Sequence, residues 1–276
     1  IFTIDKIALL TIVVGGLGYF VDVFDLLLFT IVRVRSLHDL HVPDGDANRD
    51  IGINILNIQM AGLLLGGFLW GILGDKKGRL SVLFGSIAMY SAANIANGLV
   101  HTLPAYAAWR FVAGLGLAGE LGAGITLVSE LMSKDARGYG TMLVAAVGIV
   151  GGVVAGLIGD HFDWRTAYFI GGGLGAALLV LRFSVYESGL FDRLLRSKAK
   201  RGDFLALFAS WVRARTYASC ILLGVPIWFV VGILATYAPE FGRVLGMPVL
   251  PTGGRAVMWL YAGLAATGLV GAEAPP

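Results

Sequence analysis

The chain has 276 residues, 57% of them hydrophobic and only 14% charged, where soluble domains carry roughly 25% charge, so water is not the solvent for most of this surface. A net charge of +3 does not point to nucleic acid, because the basic residues cluster in short loops between apolar runs, as topology signals do in membrane proteins. The lone Cys220 excludes an intrachain disulfide and a cysteine-based metal cluster, and the 40 glycines lack the G-X-Y period of collagen.

A helix needs about 20 apolar residues to cross the hydrocarbon core of a bilayer. That ruler predicts spans over residues 7–32, 51–73, 80–100, 104–131, 139–162, 164–184, 216–238 and 255–271, the last being the weakest. No short hydrophobic core with a cleavage site precedes the first span, so no signal peptide is expected. Short links between spans imply antiparallel neighbours in a helical bundle. The exception is 186–215, which carries Arg193, Arg196, Lys198, Lys200, Arg201, Arg213 and Arg215. It divides the chain into a six-helix unit over 1–185, a basic linker over 186–215 and the start of a second, incomplete unit over 216–276. If the first span runs outward, the linker, Lys76-Lys77-Gly78-Arg79 and the stretch 134–137 share one side. The basic excess there predicts a cytoplasmic N-terminus.

The first span contains Gly18-Tyr19-Phe20-Val21-Asp22-Val23-Phe24-Asp25-Leu26. Asp22 and Asp25 are three residues apart and share one helical face. A charge at bilayer depth costs on the order of a few kcal/mol, so such residues persist where they face a polar cavity or a partner.

Between the second and third spans stands Gly71-Ile72-Leu73-Gly74-Asp75-Lys76-Lys77-Gly78-Arg79-Leu80. This resembles the loop signature G-x-L-x-D-x-x-G-R of the major facilitator superfamily. Its glycines let helix ends touch, and an aspartate and an arginine at the membrane edge can form a breakable ionic lock with two arrangements. The plainer alternative is an ordinary basic topology loop. The resemblance implies an all-α membrane protein, a six-helix N-terminal bundle followed by about two helices of a C-terminal half. It also implies a transporter rather than an enzyme.

Arg110-Phe111-Val112-Ala113-Gly114-Leu115-Gly116-Leu117-Ala118-Gly119-Glu120 contains a literal G-x-G-x-x-G. A dinucleotide loop needs a strand before it, and none precedes these glycines, which lie inside an apolar span. The segment resembles the fourth-helix motif R-x-x-x-G-x-G-x-x-G of the same superfamily, in which the arginine is buried and the glycines line a tight helix contact. The first span in turn resembles the first helix of proton-coupled metabolite, sugar and phosphate symporters, where an acid takes up the coupling proton or meets the substrate. Asp22, Asp25, Arg110 and Glu120 are therefore the candidate proton-coupling and substrate residues. Movement of Asp22 or Asp25 relative to Arg110 would switch an acid between holding and releasing a proton. A static structural ion pair is the competing reading. Phosphate-type relatives follow the fourth-helix acid with a tyrosine-proline pair, whereas Leu121-Gly122 stands here, which weakens phosphate as the substrate.

Glu130 followed by Arg137-Gly138 matches the E-x-x-x-x-x-x-R-G spacing of sugar and metabolite porters. The resemblance groups Gly71, Asp75, Gly78, Arg79, Glu130, Arg137 and Glu187 into a cytoplasmic gating and charge network. At Tyr186-Glu187-Ser188-Gly189, both prolines and the arginine of the family form P-E-S-P-R are missing, and a solvated surface acid is the alternative for Glu187. Gly148, Gly152 and Gly156 have the small-xxx-small spacing of a helix-packing face. Transporters of this kind carry inverted three-helix repeats, and Gly159-Asp160-His161-Phe162-Asp163-Trp164-Arg165 faintly echoes Gly74-Asp75-Lys76-Lys77-Gly78-Arg79 at the opposite face, a match short enough for chance.

Asn54, Asn57, Gln59, Asn94 and Asn97 are expected to bond between helices or line a cavity. His38, His41, His101 and His161 lie at span ends without ligand spacing, so no metal, catalytic triad or cofactor is expected. The expected partners are a small polar solute, protons, the lipid bilayer and the remaining C-terminal helices, with no nucleic acid. The expected location is the bacterial inner membrane. The resemblance implies proton-coupled alternating-access transport. Its rival is a truncated, non-transporting fragment, or a half-transporter that needs a partner chain.

Overall fold

In the hydrocarbon core, every backbone N–H and C=O must find its partner within the chain, and a helix meets that demand within a single segment. The computed structural model describes residues 6–77, 79–120, 137–187 and 208–271, and among them every regular element is a helix. The six-helix unit comprises α1 (Lys6–Asp39), α2 (Asp46–Lys77), α3 (Arg79–Leu99), α4 (Leu103–Leu117), α5 (Arg137–His161) and α6 (Trp164–Glu187). Beyond the linker come α7 (Trp211–Phe229), α8 (Ala238–Val244) and α9 (Gly253–Gly271). The far half of the predicted fourth span and most of the linker lie outside the described residues.

By length and apolarity alone, Asp46–Lys77, Ser81–Leu99, Gly140–His161, Trp164–Phe183 and Trp211–Ala235 can each cross a membrane. Leu64, Leu65, Val180, Leu222 and Leu223 are exposed on their surfaces, where lipid rather than water is the fitting solvent. α1 continues past the predicted end at residue 32 to Asp39. It stops where His41 adopts φ 64° and the His41 and Val42 N–H groups donate to the His38 and Leu37 carbonyls at 3.0 and 2.9 Å. These paired bonds close off a helix C-terminus.

α7 departs from the sequence expectation. Pro226 lies inside it, and the helix passes into a π-helical turn over Val230–Ala235, after which Thr236 donates its hydroxyl to the Val231 carbonyl at 2.9 Å. Proline removes one rung of the backbone ladder, and π-turns are frequent at functional sites. α8, which the apolar ruler did not predict, starts with Pro239 in its first turn. It ends at Val244, and the chain turns away at Gly246, where φ is +65°.

Packing within the six-helix unit is pairwise: α1 lies along α5, α2 along α4, and α3 along α6. Exchanging α1–α3 with α4–α6 converts the first pair into the second and maps the third onto itself, the contact pattern an inverted repeat requires. Small residues permit the approach. A Cβ at Gly62 would collide with the Phe111 carbonyl of α4, and one at Gly114 with the Gln59 carbonyl of α2. The main core gathers Phe24, Leu27, Leu28, Phe29, Tyr106 and Tyr168 between α1, α4 and α6. α9 packs along α5, and Gly152 and Gly156 of α5 face Tyr261 and Met258.

Candidate functional site

α1 carries both first-span acids into the interior. Asp25 is 1% exposed and accepts a hydrogen bond from the Asn94 amide of α3. Room for its carboxylate comes from Gly171 of α6, where a Cβ would stand 2.8 Å from Asp25 Oδ1.

Arg110 of α4 is fully buried, its guanidinium 5.6 Å from the Phe29 ring centroid and 5.4 Å from that of Tyr168. A cation over a ring face is attracted by the ring quadrupole. The rings are themselves tied together. The Tyr106 and Tyr168 hydroxyls are 2.7 Å apart, and Tyr106 donates to Ser36 Oγ at 3.2 Å. Within the described residues, none of the three guanidinium nitrogens of Arg110 has a hydrogen-bond partner. Arg110 lies within electrostatic reach of Asp25. Its side chain is thus a buried guanidinium held by aromatic faces, with its hydrogen-bonding capacity unused among the described residues.

A second cluster lies toward the other end of α1. Glu120 is 1% and Arg182 of α6 is 6% exposed. Arg182 Nη1 donates to Glu120 Oε2 at 2.8 Å while Nη2 donates to Oε1, the bidentate geometry that gives arginine–carboxylate pairs their strength. The absent side chain of Gly18 on α1 makes space for this pair. Asp22, 6% exposed, is within electrostatic reach of Glu120, Arg182 and Asp25. Neither of its carboxylate oxygens has a hydrogen-bond partner among the described residues.

The pairing expected from the sequence is therefore not the one the helices make. Glu120 is held by Arg182, a residue that the sequence pattern did not single out, while Asp25 accepts from Asn94 and stays within electrostatic reach of Arg110. The signal for Arg182 was present, since it is a lone charge inside the apolar run 164–184. Its nearness to the run's end hid it.

Of the predicted cytoplasmic network, Gly71 and Asp75 sit exposed on the tail of α2. A Cβ on Gly71 would meet open space, whereas one on Gly74 would lie 3.2 Å from Val82 Cγ2. Gly78 and Glu130 fall outside the described residues, as do the side chains of Arg79, Arg137 and Glu187. Gln59 and Asn97 are buried, with Asn97 donating to the Ala93 carbonyl at 2.9 Å, while Asn54 and Asn57 are exposed.

A multi-pass helical bundle with a buried carboxylate–guanidinium interior is the architecture of a membrane transport protein. The sequence pattern of the Major Facilitator Superfamily matches residues 9–273, and the chain belongs to that family; it is an integral membrane transporter-family protein and not an enzyme.

Similar proteins include the "Putative niacin/nicotinamide transporter NiaP" of Bacillus subtilis, 29% identical over 222 residues, which are 79% of this chain and 53% of that protein. The "Niacin transporter NiaP" of Acinetobacter baylyi is 31% identical over 63% of this chain and 40% of its own length. The "Sialic acid transporter NanX" of Escherichia coli is 27% identical over 82% of this chain and 56% of its own. The chain thus spans about half the length of these relatives. Among solved structures, the partially occluded inward-open xylose transporter XylE of E. coli superposes with a TM-score of 0.64 at 16% identity, covering 96% of this chain and 70% of that one. A D-xylose-proton symporter superposes at 0.62 with 16% identity, covering 95% of this chain and 66% of that one. These likenesses show the fold.

Proposed function

We propose that this chain forms one six-helix half and the beginning of the second half of a proton-coupled transporter, which moves a small anionic metabolite by alternating access. The observation that carries the reading is Arg110, a buried guanidinium cradled by Phe29 and Tyr168 whose nitrogens have no partner among the described residues. A buried cation left in this state favours a site that an anion visits, because an unpaired buried charge is otherwise expensive. Niacin and sialic acid, which appear in the names of the relatives, both carry negative charge near neutral pH.

Asp22 and Asp25 are the proton carriers in this reading. Asp22 lies within electrostatic reach of two acids and one arginine, and neither of its carboxylate oxygens has a hydrogen-bond partner among the described residues. Arg182 holds Glu120 as a counter-ion. In this reading the N-terminus and the 186–215 linker lie on the cytoplasmic side of a bacterial inner membrane, which the basic excess of the loops supports. The partner of this half is a second six-helix unit, on the same polypeptide or on another, and the substrate passes between the two halves.

The test is uptake of radiolabelled nicotinate into proteoliposomes, with and without an imposed pH gradient. Gradient-driven accumulation is expected, and Asp25→Asn should abolish it while sparing some counterflow exchange. Accumulation that is indifferent to both the gradient and Asp25 would remove proton coupling from the reading.

A further inference from the structure

Between α1, α3 and α6 lies a space lined by oxygen atoms that lack hydrogen-bond donors. Asp22 and Asp25 are three residues apart on α1, Tyr90 and Ser91 stand four and three before Asn94 on α3, and Gly171 and Gly175 are four apart on α6. These spacings put each set on one helix face, and the faces meet in register. A Cβ at Gly171 would stand 2.8 Å from Asp25 Oδ1, while one at Gly175 would collide with Ser91 Oγ and stand 2.8 Å from the Tyr90 ring. The two glycines therefore keep α6 from filling this space with side chains.

The five polar side chains here are buried, with 6% exposure for Asp22, 5% for Ser91, 1% for Asp25 and none for Tyr90 and Asn94. Both Asp22 oxygens, Asp25 Oδ1, Asn94 Oδ1, Ser91 Oγ and the Tyr90 hydroxyl have no hydrogen-bond partner among the described residues. The carboxylate and amide oxygens of this set can only accept.

The charges do not cancel either. Tyr90 lies within electrostatic reach of Asp22, Asp25, Glu120 and Arg182, and Arg110 within reach of Asp25. Three carboxylates thus stand against two guanidinium groups, and Arg182 is committed to Glu120. One negative charge is left over among the described residues, and a buried charge without a counter-ion is expensive. A single monovalent cation completes the balance. No group of three or more His, Cys, Asp or Glu side chains is gathered for a metal among the described residues, which leaves out the multi-acid and imidazole sets of divalent metals. Carboxylate, hydroxyl and amide oxygens suit a hard cation of lower charge.

We propose that Asp22, Tyr90 and Ser91 form a sodium site inside the six-helix unit, with Asp25 and Asn94 closing it on the side of Arg110. The inference deepens the reading of Asp22 as a coupling acid and rests on it: sodium and the proton compete for one carboxylate, and each cancels the same charge. The groups that face Asp22 are Tyr19, Asp25, Tyr90, Glu120 and Arg182, and of these only Arg182 is a cation. A proton needs one acceptor, whereas sodium needs several at once, and the free oxygens of α1 and α3 supply them.

The test is thermal unfolding of the full-length chain in detergent at mildly alkaline pH, with sodium chloride replacing N-methylglucamine chloride at constant ionic strength. A ligand that binds only the folded state raises the melting temperature as its concentration rises. Sodium should do so saturably, and potassium chloride at the same strength should not. Tyr90→Phe and Ser91→Ala each remove one ligand oxygen, and each should raise the half-saturating sodium concentration by about three- to ten-fold, ten-fold being about 1.4 kcal/mol. Asp22→Asn should abolish the response. Ser81→Ala, exposed at the start of the same helix, should match the parent. If Asp22→Asn does not fold, equilibrium binding of radiolabelled sodium to the Tyr90 and Ser91 variants decides. Equal stabilisation by sodium and potassium, stabilisation by acid alone, or a sodium response unaltered in Tyr90→Phe and Ser91→Ala overturns the site. Neither nicotinate nor a pH gradient enters the assay. Sodium binding therefore stands where uptake fails, and its absence overturns the site even where gradient-driven uptake is intact.

Discussion

Arg182 of α6 clasps Glu120, three residues beyond the end of α4, through both terminal guanidinium nitrogens, inside a bundle where both side chains are almost wholly buried. Gly18 of α1 is the hole that admits the pair. This contact ties the fourth and sixth helices to the first at the level of Asp22, and it removes Glu120 from the set of acids free to answer Arg110.

Breaking a buried pair from one side leaves an uncompensated charge, whereas removing both partners does not. Arg182→Leu or Glu120→Leu alone should destabilise the chain by about 3–5 kcal/mol. The double variant should recover most of that loss. Thermal or denaturant unfolding in detergent measures all four corners of the cycle, and additive losses would mean the two residues do not act as a pair.

The α2–α4 contact predicts a sharp contrast between two glycines. Gly114→Ala drives a methyl into the Gln59 carbonyl, so the helices must part, at about 1–3 kcal/mol. Nothing lies within 4 Å of a Cβ at Gly67, inside α2, so Gly67→Ala should be tolerated and stabilise by about 0.4–1 kcal/mol. Equal melting temperatures for the two variants would contradict the close approach.

Tyr106 bonds both Tyr168 and Ser36, while Tyr168 keeps only the first of these contacts. Tyr106→Phe leaves the buried Tyr168 hydroxyl without its partner. Tyr168→Phe leaves Tyr106 still bonded to Ser36. The first change should therefore cost about 1 kcal/mol more than the second, read from paired unfolding curves.

Arg110→Lys keeps a positive charge beneath the rings and loses the planar fork that grips a carboxylate or phosphate at two points. Binding of nicotinate, followed by calorimetry or ligand-induced thermal shift, should weaken by about tenfold, a free-energy change near 1.4 kcal/mol. Identical affinity for the lysine variant would remove Arg110 from the anion site.

Much of this was legible before any coordinates. The apolar runs located the helices because bilayer thickness sets a length that hydropathy reports directly. Asp22, Asp25, Arg110 and Glu120 stood out because charge within such runs is expensive, and all four are buried. Other features were not legible. Arg33 falls just past the predicted end of the first span at residue 32, yet α1 continues to Asp39 and buries it. The π-turn after Pro226 and the short helix α8 depend on how the chain turns at the bundle's end, which apolar periodicity does not encode.

By itself, the sequence determined the solvent, the helical class and the family, because hydropathy, charge placement and motif spacing are properties of the chain taken one segment at a time. Only the tertiary structure decided which charges face one another. Glu120 meets Arg182, Asp25 meets Asn94, and Arg110 meets rings, because partner choice depends on which helices lie side by side and at what depth. Room for those neighbours comes from glycines such as Gly18, beside Glu120 and Arg182, and Gly171, beside Asp25, whose spacing in the chain carries no record of the helix they will touch.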